Sequence, residues 1–132
     1  ERLIAGHLRI KMEKEEKKAF MLLKSLIFHY HGLDEDEQNM LNDSAESLDA
    51  FDELQWANTF IAEDYLSAFD RSREYLNKVI SKLEKEKRIK YLLSVWQDND
   101  KKGYLTEMEA TAMLNLAKDW HIEKEIINIV KQ

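Results

Sequence analysis

Apolar residues recur at intervals of three, four and seven positions through most of the chain. Between residues 65 and 83 they are Tyr65, Leu66, Phe69, Leu76, Ile80 and Leu83. A helix from about residue 13 to 30 presents Phe20, Leu23, Ile27 and Tyr30, and the last segment presents Ile122, Ile126, Ile127 and Val130. This spacing places each set on one face of an α-helix, and between 65 and 83 basic residues occupy the other face.

Turn-forming residues are scarce, with three glycines and no proline in 132 residues. Hairpins depend on such residues, so an all-β fold is excluded. We therefore predict an all-α protein, a compact bundle of six or seven helices that forms a single domain over residues 1–132. Connections are expected near Gly32 and at residues 50–52, 60–64, 97–105 and 119–121, while residues 1–12 fit either a short helix or an extended lead-in.

Two stretches of the chain share one local plan. Residues 22–41 and 92–114 each contain an apolar helix, a glycine, and then a Leu-Asp-x-x-Glu or Leu-Thr-x-x-Glu sequence. Asp34 with Glu37, and Thr106 with Glu109, have the spacing of a capping box, in which each side chain accepts a backbone N–H of the first helical turn. Leu22 matches Leu92 at an offset of 70 residues, and Leu33 matches Leu105 at 72. The sequence thus predicts two similar helix-loop-helix units.

Charge is unevenly distributed within a formal net charge of -6. Residues 31–70 contain twelve acids and no Lys or Arg, whereas residues 71–90 contain eight bases and three acids. The acids favour a cationic partner, here another protein, or a divalent metal, and they disfavour nucleic acid because they repel phosphate. The candidate acidic interaction surface comprises Asp34, Asp36, Glu37, Asp43 and Asp49. The alternative is a solvated acidic face that the basic helix partly neutralises within the fold.

The absence of cysteine excludes disulfides and thiolate chemistry and fits a reducing compartment. No apolar run approaches the roughly 18 to 20 residues that span a bilayer, so we expect a cytoplasmic protein without direct membrane insertion. Because the chain begins with Glu1 rather than Met, the sequence leaves open that a leader or another upstream segment was removed. The sequence does not determine the oligomeric state.

Residues 98–109 have the register of an EF-hand calcium loop, with glycine at position six. The candidate ligands for a divalent metal ion are Asp98, Asp100, the Tyr104 carbonyl, Thr106 and Glu109. Lys102 stands at position five, where a ligand oxygen is usual, and the aromatic residue before the loop is out of phase. The competing interpretation is a plain helix connection in which Thr106 and Glu109 cap the following helix.

Catalytic motifs are missing from the sequence: there is no G-x-S-x-G, no phosphate-binding glycine loop and no dinucleotide fingerprint. The chain also lacks the E-x-x-H and H-E-x-x-H spacings of di-iron bundles and zinc proteases. We therefore predict that the protein is not an enzyme.

The two units, taken together, resemble the tellurite-resistance TerB-like family. The second is the more similar, in the stretch VWQDNDKKGYLTEMEATAMLNLAKDWHI with its Leu116-Ala117 pair and its closing Trp120 and Ile122. The resemblance implies a helical cytoplasmic domain with an acidic and a basic side, an association with metal-linked stress responses, and use as an interaction module. It also implies acidic-turn positions at Asp98, Asp100 and Glu109, and at Asp34 and Glu37, although His31 and Gly32 depart from the pattern. The function predicted is a non-catalytic interaction domain; the alternative is a divalent-metal module at residues 98–109.

Overall fold

The apolar stripes of the sequence belong to α-helices throughout the described part of the chain. The computed structural model describes residues 2–29, 34–101, 103 and 105–131, with backbone alone for residues 2–13. The helices are α1 Arg2–Phe28, α2 Glu35–Leu48, α3 Phe51–Ala62, α4 Ala68–Val79, α5 Lys85–Lys101, α6 Glu107–Asp119 and α7 Glu123–Val130. A 3-10 turn, Ile80–Lys82, follows α4. The predicted all-α bundle is confirmed.

Helix α1 is the centre of the bundle. It is one helix of 27 residues, so the ambiguous residues 2–12 continue the predicted helix instead of forming an extended lead-in. Residues 21–28 are all buried, and the helices α2 to α6 pack against α1. The segment 21–28 is apolar on nearly every face and must be covered on every face, which explains its central position.

The core is one continuous cluster that joins α1 to the other helices. Among the residues predicted for it, Leu23, Ile27, Leu76, Ile80, Ile122 and Ile126 are buried, and Phe20, Phe69, Leu83, Ile127 and Val130 are partly buried. Tyr30 lies outside the described residues, as do the Gly32 and Leu33 of the first predicted connection.

The prediction was wrong for Tyr65 and Leu66, which are exposed, Leu66 to 99%. Both precede α4, in a turn where the Asp64 carboxylate accepts hydrogen bonds from the Leu66 N–H (3.1 Å) and the Ser67 hydroxyl (2.9 Å). A short polar side chain that bonds to backbone two residues ahead favours a turn over a helix, and it interrupted the apolar stripe here.

Both predicted capping boxes are present. The Glu37 N–H donates to Asp34 Oδ1 (2.8 Å) and the Asp34 N–H donates to Glu37 Oε1 (3.2 Å). In the second unit the Glu109 N–H donates to Thr106 Oγ1 (3.1 Å) and the Thr106 N–H to Glu109 Oε1 (3.0 Å). Each box satisfies amides that the first helical turn leaves without an intrahelical acceptor.

The two predicted units extend into a structural repeat, α1–α2–α3 and α5–α6–α7, with α4 between them. Helix α2 buries Glu37, Leu41 and Ala45, and α6 buries Glu109, Met113 and Ala117, each 72 residues later. Both helices end in a left-handed residue, Asp49 at φ 53° and His121 at φ 57°. The N–H of the next residue then donates to the carbonyl five residues earlier. These bonds run from the Ala50 N–H to the Ala45 carbonyl (2.7 Å) and from the Ile122 N–H to the Ala117 carbonyl (2.9 Å). These are matching Schellman-type ends.

The left-handed ends yield a stability prediction. Asp49→Gly and His121→Gly should each raise the free energy of unfolding, by up to about 1 kcal/mol, because glycine adopts positive φ without a Cβ penalty. Guanidinium denaturation measures this change. Glu63→Gly is the control, since Glu63 ends α3 at φ -55° and should lose stability. A loss of stability at Asp49 and His121 as well would contradict the argument.

Candidate functional site

A groove of about 510 Å³ opens between α1, α2 and α5, and we call it the α2–α5 groove. It is lined by Phe20 of α1, by Met40, Asp43, Ser44, Ser47 and Leu48 of α2, and by Asp98 and Lys101 of α5. The α2 residues follow Met40 at intervals of three, four, seven and eight positions, so they form one stripe of the helix. The groove therefore combines apolar walls with a polar rim.

A buried ion pair lies beside the groove and shares Asp98 with its lining. Lys24 is only 5% exposed, and its Nζ donates to Asp98 Oδ2 at 2.6 Å and to Ser44 Oγ at 3.2 Å. The same ammonium lies 4.9 Å from the centre of the Phe20 ring. Since an isolated buried ammonium is costly, Asp98 and Ser44 supply the partners it needs, and they join α1 to α5 and α2.

Ser44 and Lys24 are in contact, as in a Ser–Lys catalytic pair, but the chemistry of such a pair needs a lysine free to accept a proton. Here Lys24 Nζ donates its shorter hydrogen bond to Asp98 and its longer one to Ser44. The geometry favours a structural role for Lys24 over that of a general base.

Four of the five acids named for the candidate acidic surface are exposed. Asp34, Asp36, Asp43 and Asp49 are exposed, and the salt bridges among the described residues include none of them. Glu37 is the exception, because it is fully buried as the second member of its capping box. We therefore correct the acidic surface to the four aspartates.

The basic segment, residues 71–90, forms most of its salt bridges with acids outside residues 34–70. Arg73 Nε donates to Asp119 Oδ2 at 2.5 Å, and Arg73 Nη2 donates to Asp119 Oδ1 at 2.8 Å. Lys87 pairs with Glu16 (3.1 Å), and Lys85 pairs with Glu125. The Arg73 hydrogen bond holds the pKa of Asp119 below its usual value and raises that of Arg73.

Only one salt bridge of the described residues joins the two segments, between Arg71 and Glu63 at 3.8 Å. Among the described residues, the bases of this segment form no salt bridge with the four exposed aspartates. The partial neutralisation that the alternative interpretation describes is seen at Glu63, through Arg71.

The candidate metal loop begins inside a helix. The sequence predicted a connection over 97–105, but α5 continues to Lys101, so both Asp98 and Asp100 are helical. Asp98 is occupied by Lys24, Asp100 is exposed, and Thr106 and Glu109 form the capping box. Tyr104 and Lys102 lie outside the described residues.

Across the residues that the structure does describe, no three His, Asp or Glu side chains are grouped as a metal site would require. The capping interpretation of Thr106 and Glu109 is confirmed by their hydrogen bonds. Metal binding by this loop stays a prediction, which the calcium experiment below tests.

Sequence reasoning missed Lys24 and Ser44. Lys24 interrupts the apolar run MLLKSLIF at residues 21–28, and a lone charge in such a run signals a buried group that needs a partner. The identity of the partner gave no signal, since Asp98 is one of 26 acids in the sequence.

The resemblance to TerB-like domains rests on short motifs, most of them in residues 92–122. No protein-family model, curated protein or solved structure matches this chain. The family relation therefore stays a prediction.

The buried ion pair gives a second prediction. Lys24→Met and Asp98→Leu should each lower the free energy of unfolding by about 3 kcal/mol, because each leaves one buried charge without its partner. The double variant should recover most of that loss, since it buries no charge. Denaturant titration of the four proteins gives the coupling energy.

The exposed pair Glu74 and Lys78, 3.6 Å apart, is the matched control and should show almost no coupling. Additive losses in the Lys24 and Asp98 double variant would mean that the two charges do not depend on each other.

The second capping box gives a third prediction. Thr106→Ala should lower the free energy of unfolding by about 1 kcal/mol, equally with and without calcium, because it removes the acceptor for the Glu109 N–H. Thr111→Ala, at an exposed site on the same helix, is the control. A calcium-dependent rise in melting temperature that Glu109→Gln abolishes would instead assign the loop to metal binding.

Proposed function

We propose that this chain is a non-catalytic helical interaction domain that binds a basic segment of another protein through the acidic surface of α2. The observation that carries the proposal is the set of exposed aspartates on α2 without salt bridges to described residues, while the bases of α4 and α5 bind other acids. A surface of one sign attracts a partner of the other sign and increases its rate of association.

The arrangement of α2 supports a directional contact. Asp36 and Asp43 lie on the stripe that also carries Met40 and Ser47, next to the α2–α5 groove. A partner bound to these carboxylates would also meet apolar side chains. Protein interfaces commonly combine an apolar centre with a charged rim, so the surface suits a protein segment more than a free cation.

The resemblance to TerB-like domains supports an interaction module and links the proposal to metal-related stress responses. A cytoplasmic location belongs to the same proposal. Among the described residues, no helix has both the length and the apolar character needed to cross a membrane.

The proposal is tested by titrating the protein with an oligolysine peptide in a calorimeter. We expect binding that weakens steeply between about 0.05 M and about 0.5 M NaCl, because exposed charges are screened over a shorter distance at higher salt. The triple change Asp36→Lys, Asp43→Lys and Asp49→Lys should abolish binding at low salt.

A control with the same change in net charge reverses three exposed acids elsewhere, Glu74, Glu86 and Glu107. It should keep most of the affinity if the site is α2. Equal losses in the two triple variants would show that only the overall charge matters, and the proposed surface would be wrong.

A further inference from the structure

The α2–α5 groove differs from its counterpart in the second unit. At the repeat offsets of 70 and 72 residues, Asp98 corresponds to Phe28, Ser44 to Leu116 and Leu48 to Trp120. Phe28, Leu116 and Trp120 are almost completely buried in the core. At each of these three positions the equivalent residue of the other unit has a larger apolar side chain, whereas Met40 corresponds to the smaller Ala112 and Phe20 to Lys90.

The second unit shows which side chains occupy the positions equivalent to Leu48 and Ser47. The indole of Trp120 is buried, and its Nε1–H donates to Asn77 Oδ1 at 2.9 Å. The neighbouring Asp119 receives the bidentate Arg73 of α4. In the second unit an indole and a carboxylate at these positions bind α4, whereas the first unit has Leu48 and Ser47 there, both of which line the groove.

We propose that the α2–α5 groove binds a tryptophan side chain presented by a basic segment of a partner protein. This inference rests on the proposed function and names the chemistry of its partner. The groove offers apolar contacts from Phe20, Met40 and Leu48. Phe20 stacks at 5.1 Å on Tyr91, which fixes an aromatic wall, and the Met40 thioether suits contact with an aromatic ring.

Charge around the groove gives the partner an orientation. Asp36 and Asp43 lie on the α2 side, whereas Lys101 lies on the α5 side. Basic residues beside the tryptophan are attracted to α2 and repelled from the end of α5. Tryptophan and arginine are the residues that most often dominate binding energy at protein interfaces, which agrees with this combination.

The test uses calorimetric titration with a short lysine-rich peptide that contains one central tryptophan. Two matched peptides replace the tryptophan by alanine, or the lysines by glutamine. We expect the alanine peptide to bind roughly tenfold or more weakly than the tryptophan peptide, because it cannot fill the groove.

Protein variants locate the contact. Ser47→Trp, at an exposed position on the rim, should block the groove and remove the advantage of the tryptophan peptide. Ser44→Leu, which introduces the residue found at the equivalent position 116, should do the same. The control Asn42→Trp, exposed on the side of α2 that faces away from the stripe of Asp36, Met40 and Asp43, should leave the affinity unchanged. Melting temperatures establish that each variant is folded.

The outcomes separate this inference from the proposed function. If the alanine peptide binds as well as the tryptophan peptide and Ser47→Trp has no effect, the groove inference is overturned while charge-dependent binding to α2 stands. If the glutamine peptide binds as tightly as the lysine-rich tryptophan peptide and Ser47→Trp blocks both, the acidic-surface proposal fails. The groove would then still be the binding site of the tryptophan side chain. Binding of none of the peptides, or concentration-dependent self-association through the groove, overturns the inference.

Discussion

A single positive charge in the most deeply buried helix constrains the arrangement of the helices around it. Lys24 lies within the covered segment of α1, and its ammonium is held by Asp98 of α5 and Ser44 of α2. An unpartnered ammonium there would cost several kcal/mol, so α5 and α2 must approach α1 at this level of the bundle. The same requirement keeps a polar residue at position 98, where the other unit has Phe28, and thereby leaves the α2–α5 groove open.

The internal repeat shows which features of the two units agree because the backbone and the core require them, and which side chains differ. Capping boxes, the buried stripes of α2 and α6 and the left-handed helix ends agree in the two units because they satisfy backbone groups and cover the core. Two neighbouring positions differ between the units: Asp119 and the core residue Trp120 bind α4, whereas the equivalent Ser47 and Leu48 line a groove. The site proposed here lies where the two units diverge.

The division of charge follows from how the bases are used. Arg73, Lys85 and Lys87 join α4 and α5 to acids of α6, α7 and α1, so these bases help to close the bundle. The aspartates of α2 take no part in that closure and face solvent. Within a net charge of -6, these exposed carboxylates form a surface that can attract a cationic partner.

The sequence by itself determined the all-α class, the starts of α2 and α6 and the repeat, because periodicity and a capping Glu three residues after Asp34 or Thr106 act between near neighbours. It erred where a local hydrogen bond competed with the stripe, at Tyr65 and Leu66. Only the tertiary structure decided that Glu37 is buried while Asp36 is exposed, that Lys24 binds an acid 74 residues away, and that a groove lies beside α2. These features depend on which helices meet, and the pairing of distant residues leaves no periodic trace in the chain.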